Sequence, residues 1–212
     1  MRKVLVVFGT RPEAIKMAPV VKEFKESNSF VTKVCVTAQH REMLDQVLDF
    51  FNIITDFDLN LMKPNQNLYS LTGEIINGMK SVLEVFNPDL VFVHGDTTTT
   101  MAASIAGFYS GAKVCHVEAG LRTFNKYAPF PEEINRSITA RIADFHFAPT
   151  EQSKQNLLNE NIAEENILVT GNTVIDALFH TVEKVQHIDN PIINHLKSII
   201  DPTKDLILVT GH

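Results

Sequence analysis

Several things are scarce in this sequence, and each scarcity removes a class of protein. Its 212 residues carry 19 Lys and Arg against 25 Asp and Glu, a net charge of −6. With no cationic excess and no local basic patch, a phosphate-backbone binder of nucleic acid is excluded. Long apolar runs are also missing. The N-terminal MRKVLVVFGTRPE keeps its apolar character only from Val4 to Phe8, too short for a signal peptide or a membrane span, so it reads as a first β-strand of a cytoplasmic protein. Cysteine occurs twice, as Cys35 and Cys115, each inside a β-branched apolar run. Buried structural thiols are the expectation, ahead of a disulfide or a nucleophile. Repeats, low-complexity tracts and long charge runs are absent. So are G-x-G-x-x-G, G-x-x-x-x-G-K-[ST], H-E-x-x-H and any Cys/His cluster, which disfavours a Rossmann NAD site, a P-loop and a metalloprotease.

What is there alternates. Short β-rich runs are expected at Lys3–Phe8, Thr32–Thr37, Leu90–His94, Lys113–Val117, Phe145–Ala148, Ile167–Val169 and Leu206–Thr210. Helical patterns lie between them, at Glu13–Glu26, Glu42–Phe50, Leu68–Phe86, Thr98–Tyr109, Glu132–Ala143, Glu151–Asn159 and Val174–Val185, with a short one near Ile192–Ile200. Many of the β runs are apolar without alternation, as parallel strands covered on both faces are. The fold class is therefore α/β, a doubly wound, mostly parallel, Rossmann-like sheet with right-handed crossovers. Two regions are expected: a Rossmann-like domain over 1–170, then linker helices and the first strand of a second domain over 171–212, the chain stopping where that domain opens.

In such sheets ligands sit beyond the carboxyl ends of the strands. FGTRPEAIK is a strand, a glycine turn and a helix opened by Pro12, with Thr10 as N-cap. Arg11 and Lys16 beside that helix start suit an anion, although solvated charges on a surface helix fit the pattern equally. VFVHGDTTTT puts Asp96 after a strand, with Thr97 or Thr98 able to cap the next helix; Asp96 itself is either a cap or a functional carboxylate. CHVEAGLRT puts Glu118 at the neighbouring strand end, with Arg122 close by, and YAPFPEEINR brings Glu132 and Glu133 to a helix start. Taken alone, that acidic pair suits the helix dipole, and Glu132 with Arg136 the i,i+4 pairing. His94, His116 and His146 invite a metal test, since His94-Gly95-Asp96 and His116-Val117-Glu118 are both H-x-acid patterns. Both segments turn into glycine loops, so buried, hydrogen-bonded histidines are expected instead and no metal is assigned. Three carboxylates gathered in one pocket repel, which raises the pKa of one or more and equips the group for acid–base chemistry on an anionic substrate.

FGTRPEAIKMAPVV, TAQHREMLDQVL, VHGDTTTTMAAS, HVEAGLRT, PFPEEINRSIT, PTEQSKQNLL, VTGNTVIDAL and the terminal LVTGH together resemble the bacterial non-hydrolysing UDP-N-acetylglucosamine 2-epimerases, in order and from residue 1 to 212. The resemblance implies the N-terminal half of a glycosyltransferase-B-like two-domain fold and an isomerase needing no cofactor. That enzyme interconverts UDP-N-acetylglucosamine and UDP-N-acetylmannosamine for surface polysaccharides, by UDP elimination to 2-acetamidoglucal and re-addition. It further implies Asp96, Glu118, Glu132 and His212 as catalytic residues, with Arg11 and Lys16 joining Asp96, Glu118 and His212 in substrate binding. Gln39, His40 and Gln46 are implied in regulation, and the partners are the UDP-sugar and a second copy through the N-terminal domain, with no membrane. Because the family pattern continues past LVTGH with basic residues and a full second domain, weak or no activity of these 212 residues alone is expected. Two other readings stay open: the hydrolysing relative that releases free N-acetylmannosamine, and a non-catalytic half-protein that binds a partner chain.

Overall fold

The computed structural model describes residues 1–37, 41–61, 66–201 and 203–209. Seven strands form one sheet in the order β3-β2-β1-β4-β5-β6-β7, every neighbouring pair parallel. They are β1 (Arg2–Phe8), β2 (Phe30–Val36), β3 (Phe57–Asp58), β4 (Leu90–His94), β5 (Lys113–Val117), β6 (Phe145–Ala148) and β7 (Ile167–Val169). Six have the expected positions. The two-residue β3 falls below any periodicity threshold and is held by its register against Cys35 and Val36.

The helices are α1 (Arg11–Glu26), α2 (Arg41–Phe51), α3 (Leu68–Phe86), α4 (Thr98–Ser110), α5 (Glu132–Ile142), α6 (Glu151–Asn159), α7 (Val174–His187) and α8 (Pro191–Ile199). β1 explains the layering. Val4, Val6 and Phe8 face Ala14, Met17 and Val21 of α1 and Leu44, Val47 and Leu48 of α2. Leu5 and Val7 face Ile75, Met79 and Leu83 of α3 and Ala102, Ala103 and Ala106 of α4. A strand with both faces buried can be apolar at every position, which is why no alternation marks it. Small residues let α4 lie close to the sheet: a Cβ on Gly107 would come within 3.2 Å of Val114 and 3.4 Å of Val91.

Cys35 and Cys115 are free and buried. Burial pushes both thiols up to about 12, with Asp58 adding for Cys35 and Asp144 for Cys115.

Past β7 the chain returns along the sheet's α1 face. α7 packs on α1, and Lys184 Nζ donates to the Phe50 carbonyl. The expected strand over Leu206–Thr210 is not formed among the described residues. Residues 205–209 have no regular structure, and Leu206 to Val209 are 69–86% exposed; an extended segment becomes a strand only by pairing, and these residues pair with none. Thr210, Gly211 and His212 lie outside the described residues. Among the described residues no helix is long and apolar enough to cross a membrane.

Candidate active site

The strand order reverses direction between β1 and β4, and the turns that leave those two strands meet at the carboxyl edge of the sheet, the place where open α/β sheets bind their ligands. A buried carboxylate locks the two turns together. Glu13, 2% exposed, accepts hydrogen bonds on Oε2 from the backbone N–H of Gly9 (2.9 Å) and Thr10 (2.7 Å). Its Oε1 accepts from the hydroxyls of Thr97 (2.7 Å) and Thr100 (3.2 Å). Thr10 takes the expected N-cap position, and Glu13 supplies the carboxylate of a capping box.

The threonine run after Asp96 is absorbed by the same scaffold. Thr97 caps α4 by accepting from Thr100 N, Thr99 meets Thr37 at 2.9 Å, and Thr100 also donates to the His94 carbonyl. Gly9 is required here because a Cβ would stand 2.1 Å from Thr37 Oγ1 and 2.5 Å from Thr99 Oγ1.

Thr97, and not Asp96, caps the helix. The Asp96 side chain is 31% exposed, with Arg136 Nη1 at 3.7 Å. Burial raises its pKa, Arg136 opposes this, and Glu132 and Glu118 add to the rise. The expected Glu132–Arg136 pairing is corrected: Arg136 pairs with Glu133 (3.1 Å) and Asp96. Glu133, which sequence reasoning left as a dipole residue, is buried and accepts from the backbone of Thr123 and Phe124, tying down the segment after β5. Its only signal was the acidic pair after Pro131.

Glu118 ends β5 in the left-handed region, φ +61°, a conformation costing a non-glycine residue about 1–2 kcal/mol. Both its oxygens are held by Lys16 Nζ, at 2.6 and 2.8 Å, and Oε2 also accepts from Asn172 Nδ2 at 3.1 Å. Burial, the largest single influence, pushes its pKa up, but His94 and Lys16 together outweigh it and hold the carboxyl down at about 2. Lys16 is thus committed to a carboxylate at this edge, where the sequence pointed to an anion. Arg11 stands exposed on the first turn of α1. Asn172 was unforeseen; a lone Asn after a glycine gave no signal.

The histidines differ from expectation in part. His116 is fully buried, its Nε2–H donates to the Gly95 carbonyl at 2.7 Å, and burial pushes its pKa down to about 3. His146 is also driven down by burial, to about 4. His94 is buried, yet neither ring nitrogen has a hydrogen-bond partner; Nε2 stands 3.6 Å from Glu118 Oε2, an ion-pair distance too long for a hydrogen bond. No group of three metal-ligating side chains forms among the described residues. Arg122 is taken up by a bidentate pair with Glu160, 2.6 and 2.8 Å. Gln39, His40 and His212 lie outside the described residues, and Gln46 is exposed on α2.

Comparison with known proteins shows the family and the fold. The family model of UDP-N-acetylglucosamine 2-epimerase matches residues 22–212. The chain belongs to the UDP-N-acetylglucosamine 2-epimerase family. It is 57% identical to a probable UDP-N-acetylglucosamine 2-epimerase of Ralstonia nicotianae, over 100% of this chain and 57% of that relative. A crystal structure of the Neisseria meningitidis UDP-GlcNAc 2-epimerase bound to UDP-GlcNAc superposes with a TM-score of 0.88 at 56% identity. That match covers 96% of this chain and 54% of the other. A lipopolysaccharide outer-core galactosyltransferase shares the fold alone, with a TM-score of 0.58 at 14% identity over 81% of this chain and 46% of the other. The chain spans little more than half the length of the relatives it matches.

Proposed function

We propose that this chain provides the acid–base wall of an enzyme that interconverts UDP-N-acetylglucosamine and UDP-N-acetylmannosamine without hydrolysis. The observation that supports the reading is Glu118, just past β5, held by Lys16 of α1 at 2.6 Å, with Asp96 following the neighbouring strand β4. The C2 proton of such a sugar is next to no carbonyl and is weakly acidic, so removing it alone is prohibitive. Eliminating the diphosphate across C1–C2 gives 2-acetamidoglucal, and re-addition after protonation on the opposite face inverts C2. That route needs a base and an acid on opposite faces, and cations for the departing diphosphate. Glu118, held ionised, suits the base, with Asp96, whose pKa burial raises, and Glu132 as the candidate acids. Arg11, Lys16 and the N-terminal end of α1 suit the diphosphate, with His212 assigned beside it and Gln39, His40 and Gln46 to regulation by a second UDP-sugar.

The domain division proposed is 1–170 and 171–212, within a cytoplasmic homodimer joined through the first part. These 212 residues, which span little more than half the length of the relatives they match, are expected to bind UDP weakly when tested by themselves. Isothermal titration with UDP tests this, and micromolar binding overturns it. The activity test is NMR of UDP-N-acetylglucosamine in deuterium oxide, with this chain completed by the second half of a relative. Deuterium at C2 and appearance of the manno epimer support the reading, whereas free N-acetylmannosamine shows the hydrolysing alternative. Asp96→Asn, Glu118→Gln and Glu132→Gln are each expected to lower turnover about 10²–10⁴-fold. The half-protein reading is favoured by the exposed apolar face of α7, Ile175, Leu178 and Phe179, and absence of turnover in the completed assembly supports it.

A further inference from the structure

The oddest group in the molecule is the His94 ring. It closes β4, it is 3% exposed, and both its nitrogens lack a hydrogen-bond partner. Buried polar atoms are almost always paired, so an orphan of this kind points to a partner that arrives in another state. The nearest acceptor is Glu118 Oε2, 3.6 Å from Nε2. Three other charged or titratable groups bear on this pair: Lys16 on α1, Asp96 after β4 and His116 on β5.

Glu118 is oversupplied on its outer side. Lys16 spans both oxygens and Asn172 takes a second lone pair on Oε2. Lys16 is the one of these that an incoming anion would claim. Its side chain is 24% exposed, and it lies in the second turn of α1, whose N-terminal dipole attracts the same anion. Once its ammonium turns to a diphosphate, Glu118 loses its two shortest contacts, and less than about 1 Å of movement brings Oε2 within hydrogen-bond range of Nε2.

We propose that Glu118 exchanges hydrogen-bond partners, accepting from Lys16 while His94 stands at ion-pair distance, and accepting from His94 once an anionic ligand draws Lys16 away. The His94 ring is then a positioning residue, and diphosphate recognition at α1 is coupled to the orientation of the carboxylate that works on the sugar. The ligand half of this inference rests on the function proposed above; the exchange itself does not.

Lys16→Met makes the exchange testable without any ligand. Its crystal structure is expected to show Oε2 within about 3 Å of His94 Nε2; an unchanged gap, or a carboxylate turned outward, overturns the proposal. Lys16→Gln serves if the methionine variant folds poorly. In solution, the ¹⁵N resonances of the His94 ring are expected to move in the variant, and in the same direction when UDP is added to the unsubstituted protein. UDP that binds without moving them overturns the coupling. Failure of UDP to bind the completed assembly counts against the proposed function, and the carboxylate position in Lys16→Met then still decides the exchange. In that assembly His94→Leu is expected to lower kcat about tenfold or more with KM nearly unchanged, and His94→Gln to recover most of it. A ring that merely fills space would leave kcat per folded molecule intact.

Discussion

Removing the Glu13 carboxylate is the sharpest test of how the two turns are held together. Its two oxygens collect Gly9, Thr10 and Thr97 as donors and share the one Thr100 hydroxyl hydrogen with the His94 carbonyl, and hydrogen bonds to a charged acceptor contribute about 1.5–3 kcal/mol each. Truncation does not forfeit all four. Thr97 and Thr100 keep each other, and Thr100 keeps the His94 carbonyl. The backbone N–H groups of Gly9 and Thr10 have no such fallback, and an unsatisfied buried donor costs about 1–3 kcal/mol. Glu13→Ala is therefore expected to cost about 3–5 kcal/mol, while Glu13→Gln, which keeps one oxygen for the two amides, costs about 1–2 kcal/mol. At about 2–4 °C per kcal/mol for a chain of this length, Glu13→Ala should melt about 10 °C lower. Urea unfolding with an unchanged m-value gives the energies. A double-mutant cycle with Thr97→Val should return a coupling of about 1 kcal/mol or more, since the pair is in contact. Additivity in that cycle, or a Glu13→Ala loss below about 1 kcal/mol, would refute the idea that this carboxylate joins the two turns.

Three other outcomes follow from the same contacts. Gly120 has φ +89°, and a Cβ there would meet the Ser153 carbonyl at 2.2 Å, so Gly120→Ala should lose about 2 kcal/mol or more in urea unfolding; a neutral result contradicts the close approach of α6. Neither thiol, both pushed up to about 12, should react with a disulfide reagent at pH 8 until the protein unfolds, and one labelled in the native state would disprove their burial. Stability should fall with acid in two stages. His116 and His146, pushed down to about 3 and 4, bind protons only when unfolded over the range below about pH 6.5, so each removes about 1.4 kcal/mol per pH unit there until its folded value is reached. Glu118, held at about 2, contributes stability above its unfolded value near pH 4.5 that is lost as pH drops toward 2. Unfolding midpoints flat from pH 7 to pH 5 would contradict the histidine part.

Legibility in the sequence followed the range of the interaction. Strands such as Leu90–His94 and Lys113–Val117 announce themselves because a buried parallel strand is a local apolar run with glycine after it. The carboxyl-edge rule then places Asp96 and Glu118 at the site without further information. Glu13 was invisible as a hub: a glutamate three residues after a threonine looks like any capping box, and only the tertiary fold brings it Thr97 and Thr100 from more than eighty positions away. Arg136 was misassigned for the same reason, since a long guanidinium chooses among carboxylates by space. Asn172 reaches Glu118 from 54 positions away. The strand expected at Leu206 failed differently: its residues have strand character, and strand character without a neighbour makes no sheet.

The sheet thins toward the side that delivers Asn172. β7 has three residues, and the core beneath it consists of Ala119, Ala140, Ala148, Leu157 and Ile167, far smaller than the clusters flanking β1. Its opening free energy must be correspondingly low, so amide exchange through β7 and the start of α7 should outpace that of β1, β4 and β5. The site is consequently built from two materials. Its acids are set in the stiffest part of the molecule, while one hand on Glu118 belongs to a margin that frays.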